Sequence, residues 1–141
     1  MIRRVLIADD DVDDQELLTE ALLEQDGSLQ IETLHNGQQL LSYLSLCPEA
    51  ELPGLIILDY KMPFLNAAEV LERLLPDPRY GSMPKVCWSS SSQQEHIERC
   101  LKAGAIRYFT KPSSMREMGV MAMSMLEAAS WAAEVHSGSG R

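Results

Sequence analysis

The sequence predicts a doubly wound α/β domain, and three observations carry that prediction. Short apolar runs recur along the chain, among them Val5-Leu6-Ile7-Ala8, Leu55-Ile56-Ile57-Leu58 and Val86-Cys87-Trp88. Runs of this length fit strands buried on both faces of a parallel sheet. Between them lie segments of helical period, so that strand and helix alternate five times. The runs also end in reactive residues: Asp9-Asp10, Asp59, Ser89, and Lys111 after Tyr108-Phe109-Thr110. Parallel α/β sheets collect ligands beyond the carboxyl ends of their strands, so these side chains are expected to converge.

Arg3 to Asp9 reads as the first strand. Asp13 to about Gln25 has the period of a helix, with Leu17, Leu18, Ala21 and Leu22 expected on its inner face and Asp26-Gly27 as its stop. Leu29 to Leu34 alternates apolar and polar residues, as a second strand does. Asn36-Gly37 turns into a short helix carrying Leu40, Leu41 and Leu44. A polar loop, Cys47 to Pro53, leads to the third strand at Gly54 to Asp59. Asn66-Ala67-Ala68-Glu69 opens the next helix with a cap and a glutamate three residues on, and Pro76 bounds it.

Val86 to Ser89 is the fourth strand. Ser92-Gln93-Gln94-Glu95 is expected to be a second capping box, opening a helix with Ile97, Cys100 and Leu101 inward and Gly104 as its stop. Ala105 to Phe109 is the fifth strand. Ser114-Met115-Arg116-Glu117 starts the last helix, expected to reach about Val135. Met118, Ala122, Met125 and Ala129 form its core stripe. Met121, Met123 or Trp131, if exposed, would suit a contact surface for dimerisation. Right-handed crossovers limit such a chain to a doubly wound topology. One domain is expected over residues 1–135, with residues 136–141 a flexible tail containing Ser137-Gly138-Ser139-Gly140.

At 141 residues the chain is long enough for a core without disulfides or a structural metal. The net charge of −9 argues against nonspecific nucleic-acid binding, which needs a basic face. No apolar stretch approaches the roughly 18 residues of a membrane span, and the N-terminus enters the first strand with no signal-peptide pattern. A cytoplasmic location is expected. Cys47, Cys87 and Cys100 lack metal-ligand spacing and read as buried free thiols. The acidic run continues past Asp9 and Asp10 through Asp11, Asp13 and Asp14; the last two read as a solvated helix start.

Three carboxylates, a hydroxyl and an ammonium make a site for a divalent cation and a phosphoryl group. Aspartate accepts a phosphoryl group when oriented and when charge is neutralised, and phosphoryl transfer needs mainly positioning and electrostatic stabilisation. Magnesium prefers one or two carboxylates plus phosphate oxygens and waters. Asp10 and Asp59 would supply the carboxylates, with Asp9 direct or through water. Lys111 would neutralise a phosphoryl oxygen as a point charge, and Ser89 would hydrogen-bond another.

These residues, read as Leu6-Ile7-Ala8-Asp9-Asp10-Asp11, Leu58-Asp59-Tyr60-Lys61-Met62-Pro63, Ser89 and Tyr108-Phe109-Thr110-Lys111-Pro112, resemble the receiver domain of two-component response regulators over residues 2–135. The resemblance implies a flavodoxin-like (βα)5 fold with strand order 2-1-3-4-5. It implies that Asp59 takes a phosphoryl group from a phosphohistidine on a sensor histidine kinase or histidine phosphotransfer protein, within a two-component system or phosphorelay. Asp9, Asp10 and Asp59 would hold Mg2+ with the backbone carbonyl of Lys61. Ser89 and Lys111 would bind the phosphoryl group. Ser89 and Tyr108 would switch, rearranging the face of helix 4, strand 5 and helix 5 for a partner or a second copy of the chain. The Lys111-Pro112 bond is typically cis in that family.

Three positions stand out against the pattern. Ala67 stands where the family usually has glycine, with consequences expected in the loop, and Lys61 and Ser91 occupy positions that tune dephosphorylation. The long loop before the third strand resembles stand-alone receivers associated with bacterial phytochromes. On this reading the protein is a phosphoacceptor signalling domain rather than an enzyme, limited to self-phosphorylation from a donor and slow autodephosphorylation. One alternative is a magnesium phosphatase with an aspartyl-phosphate intermediate, although the commonest such family has a second aspartate where Lys61 stands. The other is a phosphorylation-independent binding module.

Overall fold

The computed structural model describes residues 2–132. Its strands are β1 (Arg4–Ala8), β2 (Gln30–Leu34), β3 (Leu55–Asp59), β4 (Lys85–Ser89) and β5 (Arg107–Thr110). They form one parallel sheet in the order 2-1-3-4-5, the order the resemblance implied. Its helices are α1 (Val12–Gln25), α2 (Gly37–Leu46), α3 (Ala67–Leu74), α4 (Gln94–Lys102) and α5 (Met115–Glu127).

The central strands are buried on both faces, and period-2 alternation divides their side chains between two cores. Val5, Ile7, Leu55, Ile57, Val86 and Trp88 face α1 and α5. Leu6, Ala8, Ile56, Leu58 and Cys87 face α2, α3 and α4. Strand order reverses between β1 and β3, so the connections leaving their carboxyl ends diverge to opposite faces and open a crevice. Asp9 and Asp59 stand at its mouth.

Helix starts follow local chemistry. The side chains of Asp11, Asn36, Asn66 and Ser114 cap α1, α2, α3 and α5, and at α3 the capping box is complete, with Glu69 returning a bond to the Asn66 backbone. The second expected box is absent. Gln93, not Ser92, precedes α4 and gives no side-chain cap; Ser91 Oγ accepts from the Gln93 N–H at 3.4 Å just before it. Gly104 ends α4 at φ +114°, conformational space closed to most residues. Ala67 needs no such freedom: it is buried in the first turn of α3 with ordinary φ.

Several inward assignments are corrected. Leu17 is 37% exposed and Leu101 is 44% exposed, each lying one residue off the stripe set by Leu18 and Cys100. Met121 and Trp131 are buried, leaving Met123 as the exposed member of that trio. The last helix is interrupted after Glu127 and helical structure resumes over 130–132; its expected end, Val135, lies outside the described residues. The break lets the Ser130 N–H donate to the Gly54 carbonyl at 2.9 Å. It also lays the Trp131 ring on Gly54, where a Cβ would come within 2.7 Å of the ring. No described peptide bond is cis, so Lys111-Pro112 is trans here; the isomers of such a bond differ by only about 0.5–1 kcal/mol. Cys47, Cys87 and Cys100 are buried free thiols. Among the described residues no helix is long and apolar enough to cross a membrane.

Candidate functional site

The turn from β1 into α1 is held from three sides. The Asp9 N–H donates to the Leu34 carbonyl at 3.1 Å, and Asp9 Oδ1 accepts from the Asp11 N–H at 2.9 Å. Gln15, buried in α1, donates through Nε2 to the carbonyls of Asp9 at 2.7 Å and Leu34 at 2.6 Å. One amide thus ties the ends of β1 and β2 to the first turn of α1, fixing where Asp9 and Asp10 stand.

Asp9 and Asp59 are buried and Asp10 is exposed, yet one carboxylate oxygen from each lies within 4.8 Å of the others. Buried Asp9 Oδ2 has no hydrogen-bond donor; the Lys111 ammonium reaches it only as an ion contact at 3.0 Å. An orphaned oxygen within a carboxylate trio, open to water at Asp10, fits a hard divalent cation. The charges are under strain without one. Burial and then the Asp9 charge raise the Asp59 carboxyl to about 7, and burial likewise raises Asp9.

Lys111 is fixed through its backbone, its N–H donating to the Ser89 carbonyl at 2.8 Å. Its Nζ lies 2.7 Å from Asp14, 3.0 Å from Asp9 and 3.3 Å from Asp59, and 4.7 Å from the centre of the Trp88 ring. Burial alone would push its pKa down, but the three carboxylates outweigh burial and hold it above the ordinary range.

Beyond β4 a second network begins. Ser89 is fully buried, and its Oγ accepts from the Ser91 N–H at 3.2 Å. Half-buried Tyr108 donates its hydroxyl to the Ser91 carbonyl at 2.8 Å, and burial raises its pKa. Ser91 Oγ lies 2.8 Å from His96 Nδ1. The His96 ring stacks on Tyr60 at 4.0 Å, directly after Asp59.

The fold therefore gathers Asp9, Asp10, Asp59 and Lys111 into one pocket. Ser89 and Tyr108 belong to the adjoining network, joined through Ser91, and the Lys61 side chain is exposed. Sequence reasoning passed over two participants. Asp14, read as a solvated helix start, is the nearest partner of Lys111. Gln15 is the polar residue on the face of Leu18 and Leu22, and the helical period is the signal that marks it as buried. Between the site and α3, Phe64 is 90% exposed at φ +70°, a conformation that bulky side chains rarely adopt.

This geometry agrees with comparisons to known proteins. The response regulator receiver domain family matches residues 5–122. The two-component response regulator ARR8 of Arabidopsis thaliana is 28% identical over 138 residues, covering 87% of this chain and 60% of that protein. The chain thus spans little more than half the length of this plant regulator. The structure of the phosphorylated cyanobacterial phytochrome response regulator RcpA matches with a TM-score of 0.81 and 25% identity, over 90% of this chain and 93% of that one. The Mn2+-bound form of the response regulator Rcp1 shares the fold at a TM-score of 0.77 and 22% identity, over 89% of this chain and 92% of that one. With the family motif spanning most of the chain and the acidic pocket assembled at the strand ends, the chain belongs to the response regulator receiver domain family.

Proposed function

We propose that this receiver acts as a phosphorylation switch: Asp59 accepts a phosphoryl group from a phosphohistidine of a sensor histidine kinase or phosphotransfer protein. The observation that carries the reading is the meeting of Asp59, Asp9 and Asp10 with the Lys111 ammonium at 3.3 Å from Asp59. An Asp59 carboxylate oxygen forms the new bond to phosphorus as the bond to imidazole nitrogen breaks, and the proton-accepting imidazole leaves as the neutral donor side chain. Lys111 follows the charge from the carboxylate onto a phosphoryl oxygen. Asp9, Asp10 and Asp59, with the Lys61 carbonyl, would hold Mg2+, whose charge would keep the carboxylates ionised and offset that of the phosphoryl oxygens.

Ser89 is the second phosphoryl ligand in this reading. Its Oγ accepts from the Ser91 N–H, and the Ser91 carbonyl accepts from Tyr108, so a shift of Ser89 toward the phosphoryl group pulls on Tyr108. The output face is then α4, β5 and α5, where Leu101, Ile106 and Val120 are exposed, for a partner protein or a second copy. The domain covers residues 1–135, works in the cytoplasm and turns over phosphoryl groups slowly rather than as a phosphatase.

Intact-protein mass after incubation with acetyl phosphate and Mg2+ tests this. One phosphoryl group is expected on the wild type, and none on Asp59→Asn or without metal. An adduct on Asp59→Asn places the acceptor elsewhere, and rapid turnover of phosphate esters favours the phosphatase.

A further inference from the structure

We propose that Asp14 is a positioning residue for Lys111: it holds the ammonium in the unphosphorylated state and competes with the phosphoryl group for it. The inference rests on the switch reading above and deepens it. Of the three carboxylates around Lys111 Nζ, Asp14 is the nearest, at 2.7 Å, and the one whose contact has full hydrogen-bond geometry. An ammonium has three donors, and three carboxylates already surround this one. Only the Asp14 contact is a full hydrogen bond, so a phosphoryl oxygen carried on Asp59 must compete with Asp14 for the ammonium.

Asp14 is the partner most easily displaced. Its side chain is 31% exposed, against none for Asp9 and 7% for Asp59, so water can take over its oxygens when the ammonium leaves. The pair is nevertheless built into the fold. Gln15 anchors the turn of α1 on which Asp14 sits, and the Ser89 carbonyl anchors the Lys111 backbone. Both backbones are pinned, and the two side chains bridge from α1 to the end of β5. A phosphoryl group brings up to two negative charges, which Asp14 also repels. Loss of the Asp14 charge then removes a competitor and a repulsion together, while Asp9 remains to keep Lys111 in place.

The test is the affinity of the phosphoryl mimic beryllium fluoride at saturating Mg2+. Binding is read by fluorescence of Trp88, whose ring lies 4.7 Å from Lys111 Nζ. Wild type is compared with Asp14→Asn, Asp14→Glu and Asp13→Asn, the last making the same charge change at an exposed neighbour. Asp14→Asn is expected to bind about 10-fold more tightly than wild type, the scale of one charge-assisted bond partly offset by water. Asp14→Glu and Asp13→Asn should stay within about threefold of wild type, since a matched charge or a remote one leaves the pairing intact. The lifetime of the acetyl-phosphate adduct should lengthen in Asp14→Asn alone. Equal effects from Asp14→Asn and Asp13→Asn, or unchanged or weaker binding by Asp14→Asn, overturn the proposal. If the wild type itself takes neither beryllium fluoride nor a phosphoryl group, it is the switch reading that fails.

Discussion

Replacing Asp59 with asparagine is expected to stabilise the protein at neutral pH without divalent cations, and to do so progressively less toward acid. Asp59 is buried beside Asp9, and its carboxyl rises from 3.8 to about 7, by burial first and the Asp9 charge second. A carboxyl raised on folding stays protonated in the native state after the unfolded chain has ionised. Between pH 3.8 and about 7 the native state therefore binds more protons, and stability falls as pH rises through that window. At 1.36 kcal/mol per unit, the full cost above the window is on the order of 4 kcal/mol. Adjustment of Lys111 and entry of water through the Asp10 side relieve part of it, leaving about 2 kcal/mol. That corresponds to roughly 5–8 °C in Tm for a domain of this size. Thermal denaturation of wild type and Asp59→Asn in chelator would show the gap at about pH 8 and its closure by about pH 4. Millimolar Mg2+ should raise the wild type toward the variant, because the cation relieves the same repulsion. If Asp59→Asn melts no higher than wild type at about pH 8 in chelator, the pocket is not under like-charge stress and the reasoning fails.

Three further perturbations follow from the packing. Gln15→Leu removes the side-chain donor of the Asp9 carbonyl and leaves the Leu34 carbonyl with the Asp9 N–H alone, and is expected to cost about 2 kcal/mol in urea denaturation while weakening Mg2+ binding in a fluorescence titration. Gly37→Ala would raise helix propensity in isolation, but the added Cβ overlaps Val70 Cγ2 and meets Leu65 Cβ at 3.2 Å. It should therefore destabilise by about 1–3 kcal/mol, with Val70→Ala restoring part of the loss in a double-mutant cycle. Phe64→Asn puts a residue tolerant of positive φ where a ring 90% exposed packs on little. A gain of about 1 kcal/mol is expected in the same denaturation assay.

The sheet was legible because each central strand is a nearly unbroken apolar run whose end carries an unusual residue, and alternation with helical period excluded antiparallel alternatives. The acid pocket was legible for the same reason: strand ends in one sheet are neighbours in space, so Asp9, Asp59 and Lys111 meet although 102 positions separate the first from the last. Helix faces were less so. Leu17 adjoins Leu18 in sequence, and a helix as apolar as α1 does not declare which leucine turns outward until β1 and α5 are in place. The end of α5 was hidden because the contact that breaks it, Ser130 on Gly54, joins residues from distant segments.

Asp14 shows a different kind of blindness. An acidic residue in the first turn of a helix is favoured by the helix dipole whatever else it does, so composition offers no sign that this one also reaches across to β5. Local and long-range roles there demand the same side chain. At Ser91 the obstacle is deeper. Its backbone N–H meets Ser89, its backbone carbonyl meets Tyr108, and its hydroxyl meets His96, so two of its three links use groups that every residue but proline possesses. No letter at position 91 could announce them. Substitutions there should consequently divide: Ser91→Ala removes the hydroxyl's contacts to His96 and the Gln93 N–H and leaves the line from Ser89 to Tyr108 intact, whereas proline removes the N–H on which Ser89 depends. A coupling carried by the backbone survives side-chain variation, leaving that position free to tune the site without disconnecting it.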